Sequence, residues 1–140
     1  DISESDKHPF FTDFNFKTSF TTVNKRVKKV SRKYEFKLVK GFFNQTLNTN
    51  PSNYGIKKSR IILIDSDTYI ASKEALDFCL DTLQEGTFII FDDFMSYKGS
   101  FQKGECKAFN EFKAQNKNIT FREVLRYGMG GTAFIISEIK

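Results

Sequence analysis

Two short acidic clusters each follow an apolar run. Ile61-Ile62-Leu63-Ile64 leads directly into Asp65-Ser66-Asp67, and Ile89-Ile90-Phe91 leads directly into Asp92-Asp93. Carboxylates crowded into one place repel and raise one another's pKa, and a divalent cation resolves the conflict. A donor set made only of oxygens favours Mg2+, Ca2+ or Mn2+ over zinc. A single aspartate here could simply cap a following helix, where negative charge meets the positive end of the helix dipole. Four carboxylates at two strand ends point instead to a cation-binding rim.

The elements that must position them follow from hydrophobic periodicity. Arg60 to Ile64 reads as a strand of the kind buried on both faces in a parallel sheet. Ser72 is expected to cap a helix whose apolar stripe is Ala75, Leu76, Cys79, Leu80 and Leu83, with Gly86 as its terminator. Thr87 to Phe91 is a second apolar strand. This strand, helix, strand succession predicts parallel neighbours joined by a right-handed crossover, with both acidic clusters on one rim, where open α/β sheets place ligands. A further helix from about Lys103 to Gln115 turns Ala108, Phe109 and Phe112 inward. Ile119 to Tyr127 and Thr132 to Ile139 then read as an antiparallel hairpin around Gly128 to Gly131. Those glycines precede a strand rather than a helix, so they form a hairpin loop and not a phosphate or nucleoside cradle. Upstream, Val23, Val27, Val30 and Tyr34 recur at helical spacing and predict one buried face of a helix over about Phe20 to Arg32. Tyr34 to Lys40 alternates like a strand, and residues 1–20 form an irregular phenylalanine-rich segment or lid.

Composition sets the outer bounds. The chain has 140 residues, 39% hydrophobic and 28% charged, with 17 phenylalanines and no tryptophan. A chain of that size buries roughly 70% of its unfolded surface and needs no disulfide staples. Cys79 and Cys106 are therefore expected to be reduced core thiols. No apolar run approaches the roughly 20 residues of a membrane-spanning helix, and no charged-then-apolar leader follows Asp1, so the cytoplasm is the expected compartment. The net charge of +5 comes from Lys25, Arg26, Lys28, Lys29, Arg32 and Lys33, and the rest of the chain is close to neutral. That is a solvated helix face and gives no reason to expect a nucleic acid partner.

An acidic rim suits more than one chemistry. Ile64-Asp65-Ser66-Asp67-Thr68 has the local form of the Asp-X-Asp with which metal-dependent glycosyltransferases hold Mn2+ and a nucleotide diphosphate. Aspartyl phosphatases also use Asp-X-Asp, although their motifs lie further apart. The wider pattern is more specific. It comprises Ile64 to Ser72, Ala75-Leu76, Gly86 to Phe94, Gly104-Glu105 and Ala108 to Phe112, preceded by Leu38 to Phe43 and Thr46-Leu47. Over about residues 35–115 this pattern resembles the macrocin O-methyltransferase family, S-adenosylmethionine-dependent sugar O-methyltransferases of macrolide and aminocoumarin pathways.

The resemblance implies an α/β fold, the Rossmann-like class I methyltransferase sheet, mostly parallel with a C-terminal antiparallel hairpin. It implies Asp65, Asp92 and Asp93 as Mg2+ ligands, Asp67 as general base, and Tyr69 as a residue of the acceptor pocket. It also implies S-adenosylmethionine as cofactor and a sugar or polyol hydroxyl as acceptor. In the family the sheet order is 3-2-1-4-5-7-6, and the first strand and its glycine-rich turn carry most of the cofactor contacts. No counterpart of that first βαβ unit is found in this sequence. The expectation is thus a single partial methyltransferase domain over residues 1–140, either the C-terminal two-thirds of a longer enzyme or a shortened homologue whose bare sheet edge is repacked or covered in a homo-oligomer. The same gap keeps a non-catalytic remnant open as an alternative.

Overall fold

The computed structural model describes residues 7–8 and 18–140. The expected phenylalanine-rich segment or lid over residues 1–20 lies almost wholly outside the described residues. Described order begins with helix α1 (Phe20–Ser31), capped by the Ser19 hydroxyl, which accepts from the Thr22 N–H at 3.1 Å. A one-turn helix α2 (Phe43–Thr46) follows. Then come β1 (Ile61–Ile64), α3 (Tyr69–Cys79), β2 (Phe88–Phe91), α4 (Gly104–Gln115), β3 (Ile119–Tyr127) and β4 (Gly131–Ile139).

The four strands make one sheet in the order β1-β2-β4-β3. β1 and β2 are parallel neighbours, with Ile62 opposite Ile89 and Ile64 opposite Phe91. β4 pairs antiparallel with both β2 and β3, so the glycine loop closes a hairpin as expected. Helices α3 and α4 supply the second layer. Between sheet and helices lies a phenylalanine core centred on Phe109, whose ring lies 4.4 Å from Phe134 and 5.0 Å from Phe91. Phe91 and Phe109 are fully buried, and tilted aromatic contacts of this kind add to the burial of apolar area. This layer holds six of the 17 phenylalanines: Phe91, Phe94, Phe109, Phe112, Phe121 and Phe134. Cys106 is buried in the same core, Cys79 is half-buried, and neither is in a disulfide.

Several expectations are corrected. β1 is buried on one face only: Ile62 and Ile64 turn inward, while Ile61 and Leu63 are 68% and 60% exposed. Two-sided burial needs a layer on each face, and the described residues supply one. Tyr34 to Lys40 forms no strand, because no described strand lies beside it to take its backbone hydrogen bonds. The described sheet consequently has one parallel and two antiparallel pairings. The predicted buried face of α1 is also absent: Val23 and Val27 are half-buried, Val30 is 80% and Tyr34 71% exposed. Helix α3 starts at Tyr69 after Thr68, so Ser72 is an internal, buried residue whose hydroxyl donates to the Thr68 carbonyl at 2.6 Å. Gly86 does not end that helix. It sits in the turn before β2, in the left-handed region at φ +83°, and its N–H donates to the Ile136 carbonyl.

Candidate metal-binding and active site

Parallel pairing of β1 with β2 levels their carboxyl ends, and the register carries one step past the strands, where the Asp92 N–H donates to the Ile64 carbonyl at 3.0 Å. Beyond that point the chain delivers the two acidic clusters side by side. Asp65, Asp67 and Asp93 each bring one carboxylate oxygen within 4.8 Å of the others. Asp67 sits in a tight turn just past β1, closed by the Thr68 N–H donating to the Ser66 carbonyl at 2.6 Å. Asp67 has φ +62°, the left-handed region that aspartate tolerates better than most residues.

Asp92 is at the same rim but outside that group of three. The Tyr127 hydroxyl lies 3.0 Å from the Phe91 carbonyl and 3.2 Å from Asp92 Oδ1, so its single proton is shared between two acceptors. Asp93 accepts from the Ser96 hydroxyl. Tyr69 opens α3, and its hydroxyl donates to Glu111 of α4 at 2.7 Å while Lys107 Nζ stands 4.0 Å from its ring centre. Those contacts tie α3 to α4.

The electrostatics express the crowding. Burial, then a side-chain hydrogen bond with Asp93, then the charges of Asp93, Asp65 and Asp92 push Asp67 up to about 7 from the ordinary carboxylate value of 3.8. Asp65 is raised by burial and by the charges of Asp92 and Asp93. The hydrogen bond between Asp67 and Asp93 requires a proton on one of the two acids. A divalent cation supplies the missing positive charge in another way, and oxygens on a Mg2+ shell of roughly 2.1 Å radius lie about 3 to 4 Å from one another. The all-carboxylate donor set and the convergence of three oxygens within 4.8 Å fit such an ion.

One participant belongs to the sequence pattern but carries no role there. Glu105 of α4 is fully buried, and burial pushes it up to about 8 against the lowering effect of two backbone N–H donors, those of Ser66 and Asp93. The available signal was its position: Glu105, Phe109 and Phe112 fall at spacings of four and three, which places a carboxylate on the inward stripe of α4. Nothing in the sequence marked Tyr127.

Of the acids, Asp92 and Asp93 line a cleft of about 580 Å3 that is also bounded by Ser96, Lys98, Tyr127 and the hairpin glycines, whereas Asp65 and Asp67 do not line it. Tyr69 does not line it. A second cleft, of about 510 Å3, opens beside Ser66, Thr68 and Ala71 against Gly41 to Asn44.

Comparison with known proteins identifies the family of the chain. The sequence model of the macrocin-O-methyltransferase family (TylF) matches residues 6–124. The chain belongs to that family. Among solved structures it is similar to the O-methyltransferase NovP, with a TM-score of 0.67 and 21% identity over 86% of this chain. The matched region is 46% of the NovP chain, so this chain spans about half the length of that relative. The likeness establishes the Rossmann-like fold. No curated protein matches the sequence. Among the described residues no helix is long and apolar enough to cross a membrane.

Proposed function

We propose that this chain carries the metal-binding and acceptor side of an S-adenosylmethionine-dependent O-methyltransferase that uses Mg2+ to methylate a hydroxyl of a sugar or polyol. The observation that carries the reading is the convergence of Asp65, Asp67 and Asp93 at the level ends of two parallel strands, in a chain of this family.

Asp65 and Asp93 would hold the ion, with Asp92 the further acid at the same rim. When bound, Mg2+ lowers the pKa of an acceptor hydroxyl and orders it with a neighbouring oxygen. Asp67 is the base. It lies among the acids; its pKa would be lowered by a bound cation, so it would take the hydroxyl proton in concert with attack of the oxygen on the sulfonium methyl, as the carbon–sulfur bond breaks and S-adenosylhomocysteine leaves. Alignment of hydroxyl, base and methyl group supplies much of the acceleration. Tyr127 holds the Asp92 carboxylate, and the glycine loop borders the cleft beside Asp92 and Asp93. Tyr69 joins α3 to α4 through its hydrogen bond to Glu111.

The test is transfer of labelled methyl from S-adenosylmethionine to a panel of sugars and polyols by the intact gene product. Transfer that stops with EDTA and returns with Mg2+ is expected. An intact product that transfers no methyl, or that binds a nucleotide sugar with Mn2+ and ignores S-adenosylhomocysteine, overturns the reading.

A further inference from the structure

Glu105 is a fifth acid at this rim, and it comes from neither strand end. It is the second residue of α4 and is fully buried. Its two oxygens accept from two different segments: Oε1 from the Ser66 N–H at 3.3 Å and Oε2 from the Asp93 N–H at 3.0 Å. Ser66 lies between Asp65 and Asp67, and Asp93 belongs to the other loop. One side chain therefore ties together the two segments whose carboxylates converge.

The chain is shaped to deliver it. Gly104 precedes Glu105 in the left-handed region at φ +56°, and a Cβ there would lie 2.5 Å from the Tyr97 ring. The close approach of Tyr97 thus depends on glycine at the first residue of α4. A negative charge in the first turn of a helix is favoured by the dipole, which explains an acid at this position but not full burial with both oxygens spent on loop N–H groups. A carboxyl group, ionised or protonated, offers a lone pair on each oxygen, whereas an amide accepts on one and would turn its NH2 toward the second N–H. Only the acid can hold both loops.

We propose that Glu105 is the positioning residue of the acidic centre: it fixes the spacing of the two loops, and through that spacing the affinity for a divalent cation, without touching the ion. The inference rests on the reading of the acids as a metal site. Partners that orient metal ligands typically change metal affinity by about 10- to 100-fold when removed.

The experiment measures Mn2+ binding to the full chain by electron paramagnetic resonance of free Mn2+, with thermal unfolding in EDTA recorded alongside. Glu105→Gln is expected to bind Mn2+ at least about 10-fold more weakly than the wild type, at a temperature where both are folded. Leu83→Ala serves as the stability control, because it removes a buried side chain at the opposite end of β2 and should lower the melting temperature without changing Mn2+ affinity. If Glu105→Gln does not fold in EDTA, Glu105→Asp, which keeps the charge but shortens the reach, is read by the same criterion. Wild type that binds Mn2+ no more tightly than the Glu105 variant overturns the positioning role and leaves the metal reading standing. Wild type that binds no Mn2+ overturns the metal reading and the positioning role with it.

Discussion

The stretch from β1 to β4 and the stretch before it both carry apolar residues at regular spacing, yet they end in different states. From Ile61 onward the inward positions find partners: Ile62, Leu76, Phe91, Phe109 and Ile136 share one core. Before it, α1 has the amphipathic pattern of a surface helix but no buried residue, and Val39, Phe42 and Phe43 are exposed. An apolar stripe specifies which face seeks cover. Whether it gains stability depends on another surface being present to receive it, since the hydrophobic contribution scales with area removed from water.

The comparison can be broken most strongly at the rim. Asp67→Asn should lower methyl transfer by the intact gene product by about 10^2- to 10^4-fold, the range for removing a general base, while Mn2+ binding persists. Unimpaired turnover in that variant would remove Asp67 from the base role. Next in size is the core. Phe109→Ala should destabilise the chain by about 3–5 kcal/mol, seen as a lower denaturant midpoint, because it empties the centre of the aromatic cluster. A smaller effect is expected from pH. Asp67 and Glu105 are raised to about 7 and about 8, so between about pH 4 and 8 the folded chain binds more protons than the unfolded one. Stability in EDTA should therefore fall as pH rises from 5 to 8, by a few degrees in melting temperature, and saturating Mg2+ should flatten the slope. A melting temperature that rises over this range in EDTA would contradict the crowding described at the rim. The smallest effect belongs to α1: Val30→Ala should change stability by no more than about 0.5 kcal/mol, the usual size for an exposed site, and a larger loss would mean that Val30 is covered.

The strands, helices and hairpin after residue 60 were legible because each makes its contacts within this chain. The Tyr34 to Lys40 strand was misread for the complementary reason, since alternation cannot show whether a neighbouring strand exists to pair with it. The convergence of the two acidic clusters followed from parallel register alone. The grouping of Asp65 with Asp67 and Asp93 was finer than the motif could show. Adjacent residues leaving a strand point to opposite sides, so a consecutive Asp92-Asp93 pair does not deliver two equivalent carboxylates. Glu105 was hardest to read, because its role depends on two loops 39 and 12 residues away in sequence.

The consecutive residues Phe91-Asp92-Asp93-Phe94 place the acid pair between two buried rings, 5.3 Å apart and both packed against Phe134. Mutual repulsion among the carboxylates pushes the loops outward, but the Asp92-Asp93 loop cannot spread far without drawing a phenylalanine out of the core. The interior thus acts as a clamp on the charge. An arriving cation would meet ligands already held close to one another, so little of its binding energy would go into gathering them, and the same stiffness would disfavour ions that need a wider shell.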